Sequence, residues 1–239
     1  MASASNTDRQ TQARIPLIDE LRGVAITMMV IFHFCYDLTY FHYAHFNMLE
    51  NPFWVHWRTV IVAFFVVISG ISFGLAPDGS SHFIRRVSKL FFSAAIISIV
   101  TYFLFGDRFI YFGVIHFFLI ATLVTKPFKQ FKKPLLIIGF LMVALSFVYH
   151  FEFMNPKYLN WIGLASTKPA TEDYAPLFPW LGYFLISLSL AALIKPNILK
   201  FKLNVKVLSF MGRHSLLIYL IHQPILFIFI LTYKSLITV

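Results

Sequence analysis

Charge is scarce in this chain, and negative charge scarcest. Ten Asp and Glu stand against twenty Lys and Arg in 239 residues, and the four types together make up 13% of the sequence. A soluble globular domain carries about 25% charged residues. A soluble fold of this length would have too much surface for so few charges, so the 59% of hydrophobic residues, with a mean hydropathy of +0.75, must face lipid. Cysteine is nearly absent. Cys35 alone excludes an internal disulfide framework and a cysteine-based metal site, leaves the redox compartment unread, and within its apolar run reads as a packing residue. Internal repeats and low-complexity tracts are also missing, which excludes repeat architectures.

What is present is a series of apolar stretches. A polar head over residues 1–14 has no apolar periodicity and is expected to be a disordered cytoplasmic tail. Pro16 suits a first helical turn, and residues 17–43 are too long and end too aromatically for a cleaved signal peptide, so they read as a retained span. Further stretches follow at residues 52–75, 83–105, 109–125, 134–150, 177–194 and 207–233. The expectation is therefore an all-α polytopic membrane helix bundle of about seven transmembrane helices, with residues 15–239 as one domain.

Basic residues test this count independently, because cytoplasmic segments hold the positive excess. Arg9, Arg14 and Arg22 fall on the first side, and Arg85, Arg86 and Lys89 return to it after two spans. Lys126, Lys129, Lys132 and Lys133 do so after four, and Lys195, Lys200, Lys202 and Lys206 after six. Arg58, Arg108, Lys157, Lys168 and Lys234 are scattered on the other side. The amino terminus is thus expected in the cytoplasm and the carboxyl terminus outside. The net charge of +10 reflects topology and anionic lipid headgroups; its division among short loops argues against nucleic-acid binding. Gly70 and Gly74, four apart, let helix backbones approach closely. Residues 151–176 form the longest connection, with Tyr158, Trp161 and Tyr174 suited to the interface and to a lid.

Chemistry is sought where ionisable residues sit inside spans, since a charge at the membrane centre costs at least roughly 2.5 kcal/mol. Eleven helical steps place Arg22 and His33 within about 20° of one face and roughly 16 Å apart. Asp37, one turn beyond His33, is placed to fix its tautomer as a general base requires; the alternative is a structural pair, with Arg22 marking the cytoplasmic end. His116 and His222 give two more spans a histidine, each of which an interhelical hydrogen bond would also explain. Arg213 and His214, at the start of the last span, together with Arg14, Arg85, Arg86 and Lys89, suit phosphates or, equally, lipid headgroups. His42, His45, Glu50 and His56 match no closed metal site, so no metal is expected. A retinal receptor is excluded because residues 207–231 contain no lysine. A proton-coupled transporter of a small solute remains the alternative, although two matching broken half-helices are not apparent.

Several blocks carry a resemblance. They are Ile18-Asp19-Glu20-Leu21-Arg22-Gly23, His33-Phe34-Cys35-Tyr36-Asp37, Ile68-Ser69-Gly70, Arg85-Arg86-Val87-Ser88-Lys89, Phe112-Gly113-Val114-Ile115-His116, Asp173-Tyr174-Ala175-Pro176, and Gly212-Arg213-His214-Ser215 running on to His222. Over residues 15–225 the chain resembles the bacterial short form of the heparan-α-glucosaminide N-acetyltransferase catalytic domain family, and its Arg-to-His spacing is similar to that of the wider membrane acyltransferase superfamily. The resemblance implies transfer of an acyl group, acetyl first among them, from cytoplasmic acyl-CoA to a sugar amine or hydroxyl on an extracytoplasmic glycan, with histidine as the catalytic group. It also implies a multi-pass protein of the bacterial cytoplasmic membrane, for which a homodimer is one admissible assembly.

Under that reading His33, oriented by Asp37, is the base. Arg22, His116 and His222 line the route or stabilise oxyanion charge, and Arg85, Arg86, Lys89 and Arg213 hold the donor phosphates. The lysosomal relative carries asparagine at the position matching His33 and its histidine near His42 and His45, so those two are the competing bases. This chain is also shorter than the lysosomal enzyme, which points away from heparan sulfate as acceptor.

Overall fold

The structure, a computed structural model, describes residues 15–237. The tail of residues 1–14, with Arg9 and Arg14, lies outside the described residues. Helix α1 spans Pro16–Tyr40 and α2 spans Pro52–Leu75, each with proline in its first turn, where the missing N–H costs nothing. Asn51 caps α2 by accepting the Phe53 amide at 2.9 Å. Then come α3 (Ser80–Phe105), α4 (Val114–Thr125), α5 (Lys132–Val148), the short α6 (Lys157–Asn160), α7 (Leu177–Leu190), α8 (Pro196–Lys200), α9 (Lys206–Arg213) and α10 (Ser215–Ile237). No β-strand forms among the described residues; Phe151 and Ala165 make one isolated bridge.

The seven apolar stretches become seven helices of twelve residues or more, but only four are long and apolar enough to cross a membrane: Pro16–Tyr40, Pro52–Leu75, Ser80–Arg108 with its last 3₁₀ turn, and Ser215–Leu236. The other three are α4, α5 and α7, of 12, 17 and 14 residues. At 1.5 Å per residue, twelve residues cover about 18 Å of a hydrocarbon core about 30 Å thick. Helix α4 is short because Gly106, at φ 55°, ends α3 and residues 109–113 run as a loop before Val114. Helix α7 is broken near its start, where Phe178 has extended backbone angles.

The short helices are interior ones. Val114, Ile115, Phe117, Phe118 and Ala121 of α4 are buried, as are Leu181, Phe184, Leu185 and Leu188 of α7. Helix α2 packs between α1 and α7, α7 also packs on α5, α4 lies against α3, and α9 and α10 lie along α1. Large side chains such as Phe92, Phe103, Phe140, Phe147 and Phe229 remain exposed on α3, α5 and α10, the lipid-facing surface that the composition demands.

Glycines set the closest crossings. A Cβ on Gly70 would sit 2.7 Å from the Phe184 carbonyl and one on Gly74 2.7 Å from that of Leu188, so this pair packs α2 on α7, as its spacing predicted. Gly139 and Gly182 face each other across α5 and α7, and Gly23 and Gly212 bring α1 against α9. Cys35 packs against the satellite core that includes Phe32 and Met48, also as expected.

The basic residues gather toward two ends. At one, Arg22 reaches Ser72, Arg86 reaches Ser69 and Lys129 reaches Asp78. At the other, Arg108 pairs with Glu172 and Lys157 donates to the Asp107 carbonyl.

Candidate active site

Helices α1 and α10 bring two of the expected histidines together. His33 and His222 face each other with ring centroids 4.8 Å apart. Their neighbour Asp37 is fully buried, but its Oδ1 accepts from Gln223 Nε2 at 2.7 Å and no hydrogen bond joins it to His33. The expected Asp37–His33 orientation is therefore replaced by an Asp37–Gln223 bridge between helices, because glutamine on α10 reaches the carboxylate that the imidazole one turn away does not.

His222 has a defined tautomer. Its Nδ1 lies 2.8 Å from the Tyr219 carbonyl, and a carbonyl only accepts, so Nδ1 carries the hydrogen and the neutral ring turns the Nε2 lone pair outward. That Nε2 is buried without a partner, as are Asp37 Oδ2 and Gln223 Oε1. Three orphaned polar atoms in one cluster are uncommon in a native interior and mark a place built to receive polar groups. Pro224, next in the chain, has no N–H to give the preceding turn, which loosens the α10 ladder where these residues project.

His116 does not join the pair. Its Nδ1 accepts from the Gly113 amide at 3.3 Å, so Nε2 donates to Ser98 Oγ at 2.9 Å, and Ser98 passes its own hydrogen to the Ile110 carbonyl at 2.8 Å. Both nitrogens are occupied in a network that holds the start of α4 against α3.

Asp173, which lies in no span, reaches into this region from the long connection. Its Oδ2 accepts the Tyr219 hydroxyl at 2.6 Å and the Val114 amide at 2.8 Å, at the amino terminus of α4. Tyr219 therefore links Asp173, through its hydroxyl, to His222, through its carbonyl. A Cβ on Gly113 would fall 2.2 Å from Asp173 Oδ2, so glycine is required for the approach. The connection is strapped down on either side: Thr171 Oγ1 donates to the Phe109 carbonyl, Glu172 pairs with Arg108, and the Ala175 amide donates to the Phe112 carbonyl. Tyr174 donates to the Asn160 carbonyl at 2.7 Å, and burial, with Tyr111 close by, holds its phenol above the ordinary value. His42 and His45 lie on an exposed loop outside the cluster. Among the described residues no group of three His, Cys, Asp or Glu is placed to hold a metal ion.

At the basic end, Arg86 turns inward. Its Nε donates to Thr122 Oγ1 at 3.2 Å, its Nη2 to Ser69 Oγ at 3.0 Å, and its guanidinium lies over Phe73. Arg22 donates to Ser72 Oγ at 2.6 Å and pairs with Asp19 at 3.1 Å. Ser69 and Ser72 are one turn apart on α2, so the two guanidinium groups are neighbours. Arg85, Lys89 and Arg213 are exposed, and Arg213 Nε is spent on the Ser209 carbonyl of its own helix. The expected donor set thus divides into one inward arginine and three surface cations.

Asp173, Tyr219, Gln223 and Ser98 escape a search for charges inside spans, because one is a loop residue and three are uncharged. The signal available was position: Asp173 opens the block through Pro176, and Gln223 follows His222 directly.

No curated protein and no solved structure matches the chain. The family described as heparan-alpha-glucosaminide N-acetyltransferase, catalytic, matches residues 14–224, which include the histidine pair, the strap and the arginine pair. The chain belongs to the heparan-alpha-glucosaminide N-acetyltransferase catalytic family.

Proposed function

We propose that the chain is a membrane acyltransferase that moves an acetyl group from acyl-CoA, entering at the basic and cytoplasmic end, to a sugar amine or hydroxyl entering beneath the strap from outside. The observation that carries this reading is the cluster of His33, His222, Asp37 and Gln223, with three buried polar atoms left open, in a member of an acetyltransferase family. His222 is the base, because its Nε2 is the nitrogen whose lone pair is fixed. It takes the proton as the acceptor attacks the thioester carbonyl; the new C–N or C–O bond forms, the C–S bond breaks, and the coenzyme thiolate leaves and is protonated. His33, packed on the same ring, offers an imidazole N–H to the carbonyl as its oxygen becomes negative, while Gln223 Oε1 and Asp37 Oδ2, which only accept, receive hydrogens of the acceptor. Arg86 and Arg22 hold the donor phosphates, with Arg85, Lys89 and Arg213 attracting them. Arg22 and His33, roughly 16 Å apart along α1, separate the phosphate end of the donor from its reacting end.

Purified protein supplied with acetyl-CoA and an amino sugar should release free coenzyme thiol only when both are present. Absence of release across amino sugars and hydroxyl sugars, together with proton-driven solute uptake in vesicles, would replace the enzyme with a transporter. Reporter fusions should place the amino terminus inside and the carboxyl terminus outside.

A further inference from the structure

Four lysines crowd the connection between α4 and α5, and the arrangement of three of them is not explained by topology alone. Lys126 Nζ lies 3.2 Å and Lys129 Nζ 3.0 Å from the same oxygen, Asp78 Oδ1. Lys129 also donates to the Ala76 carbonyl and is 7% exposed, whereas Asp78 is 77% exposed. The Lys132 ammonium is buried without any hydrogen-bond partner and within electrostatic reach of Lys129 and Asp78. Two ammonium groups therefore share one exposed carboxylate, and a third stands near them with no acceptor of its own. A buried ammonium with no acceptor is costly, and a neighbouring dianion would relieve it.

The position of this cluster identifies the occupant. Lys129 Nζ stands 5.4 Å from the centroid of the Phe73 ring, and the Arg86 guanidinium 5.1 Å from the same centroid. Arg22 follows Arg86 along Ser69 and Ser72 of α2. The cations thus adjoin one another at one end of the bundle: the lysines lie at the α4–α5 connection and the first turn of α5, Arg86 reaches furthest along α2 to Ser69, and Arg22 stands beside it at Ser72. A lipid headgroup has one phosphate at the surface, whereas acyl-CoA carries a terminal phosphate monoester on its ribose and a diphosphate nearer the thioester.

We propose that Lys126, Lys129 and Lys132 form a phosphate-monoester site that receives the terminal ribose phosphate of the donor, while Arg86 and Arg22 hold its diphosphate. This rests on the acyl-CoA reading. Asp78 occupies Lys126 and Lys129 and gives them up to the incoming dianion, which also supplies the acceptor that Lys132 lacks.

The test compares CoA with 3′-dephospho-CoA by calorimetry on the full chain in neutral-lipid nanodiscs. The wild type should prefer CoA about tenfold or more, the scale of a single charge-assisted hydrogen bond. Lys132→Gln, which loses no native partner, should abolish most of that preference while leaving dephospho-CoA affinity unchanged, and Lys129→Ala should do the same if it folds. Asp78→Asn should strengthen the preference by removing the competitor. Equal affinity of the two ligands for the wild type overturns the site but leaves the acyl-CoA reading intact. Binding of neither overturns both. A preference that survives Lys132→Gln, or that disappears only when phosphatidic acid is added to the nanodisc, assigns the lysines to the lipid surface and overturns the proposal.

Discussion

The imidazole rings of His33 and His222 lie 4.8 Å apart, yet only His222 is tied down, by its Nδ1 hydrogen bond to the Tyr219 carbonyl. A base needs a fixed lone pair, so His222→Ala should lower kcat by about 10²–10⁴-fold with coenzyme binding retained. His33→Ala should also impair turnover, through the lost partner ring, while His42→Ala and His45→Ala should be mild. A dead His33→Ala enzyme beside a nearly normal His222→Ala enzyme would exchange the two roles, and an essential loop histidine would move the base out of the cluster.

The Asp37–Gln223 bridge makes a prediction about stability. Gln223→Leu leaves a fully buried carboxylate with neither oxygen bonded and should cost about 1–3 kcal/mol or more in thermal melts. Adding Asp37→Leu should recover much of that loss, since removing both partners spares the desolvation penalty. Additive losses in the double variant would mean that the two side chains do not depend on each other.

Asp173 acts on the site through Tyr219 and is a positioning residue. Asp173→Ala strands the Tyr219 hydroxyl and the Val114 amide and should lower kcat while the KM for the donor stays constant. Asp173→Asn keeps an acceptor oxygen and should restore part of the rate. An equal change in kcat and donor KM would point to a general structural defect instead.

The glycine crossings can be tested without substrate. Gly182→Ala places a methyl group 2.7 Å from the Gly139 carbonyl, and Gly212→Ala places one 1.7 Å from that of Asp19. Backbone cannot swing aside as a side chain does, so each should lower stability by about 1–3 kcal/mol or more. Gly79→Ala, with open space around it, serves as the control and should be near neutral.

Hydrogen bonds from Lys129 and Lys126 hold the Asp78 carboxyl below its ordinary value. A depressed folded-state value means that the stabilisation is fully present above the unfolded value of about 3.9 and is lost as pH falls through the lower, folded one. Asp78→Asn should therefore melt below the wild type at neutral pH and converge with it in strong acid. A gap that persists there would assign the effect to packing.

Composition made the helical bundle legible, because sparse charge and long apolar runs admit few other architectures. The Gly70–Gly74 contact was legible from spacing. The lengths of α4 and α7 were not: residues 109–113 and Phe178 are as apolar as the helices they interrupt, and hydropathy does not register a backbone that leaves the helix. Two of the three histidines converge, as their placement in separate spans allowed. The partner of Asp37 was hidden because sequence proximity favours His33, whereas helix packing supplies Gln223 from 186 residues away. Asp173 was hidden because it belongs to a connection, where a carboxylate ordinarily means solvent.

That Asp173 is carried by the strap has a temporal meaning. Asp173, which braces Tyr219 and through it His222, sits on one short piece of chain between the tethers of Thr171 and Ala175. Any movement that lifts this piece takes the brace away with it. Lifted and braced are then mutually exclusive conditions of Tyr219 and of the His222 ring that its carbonyl holds.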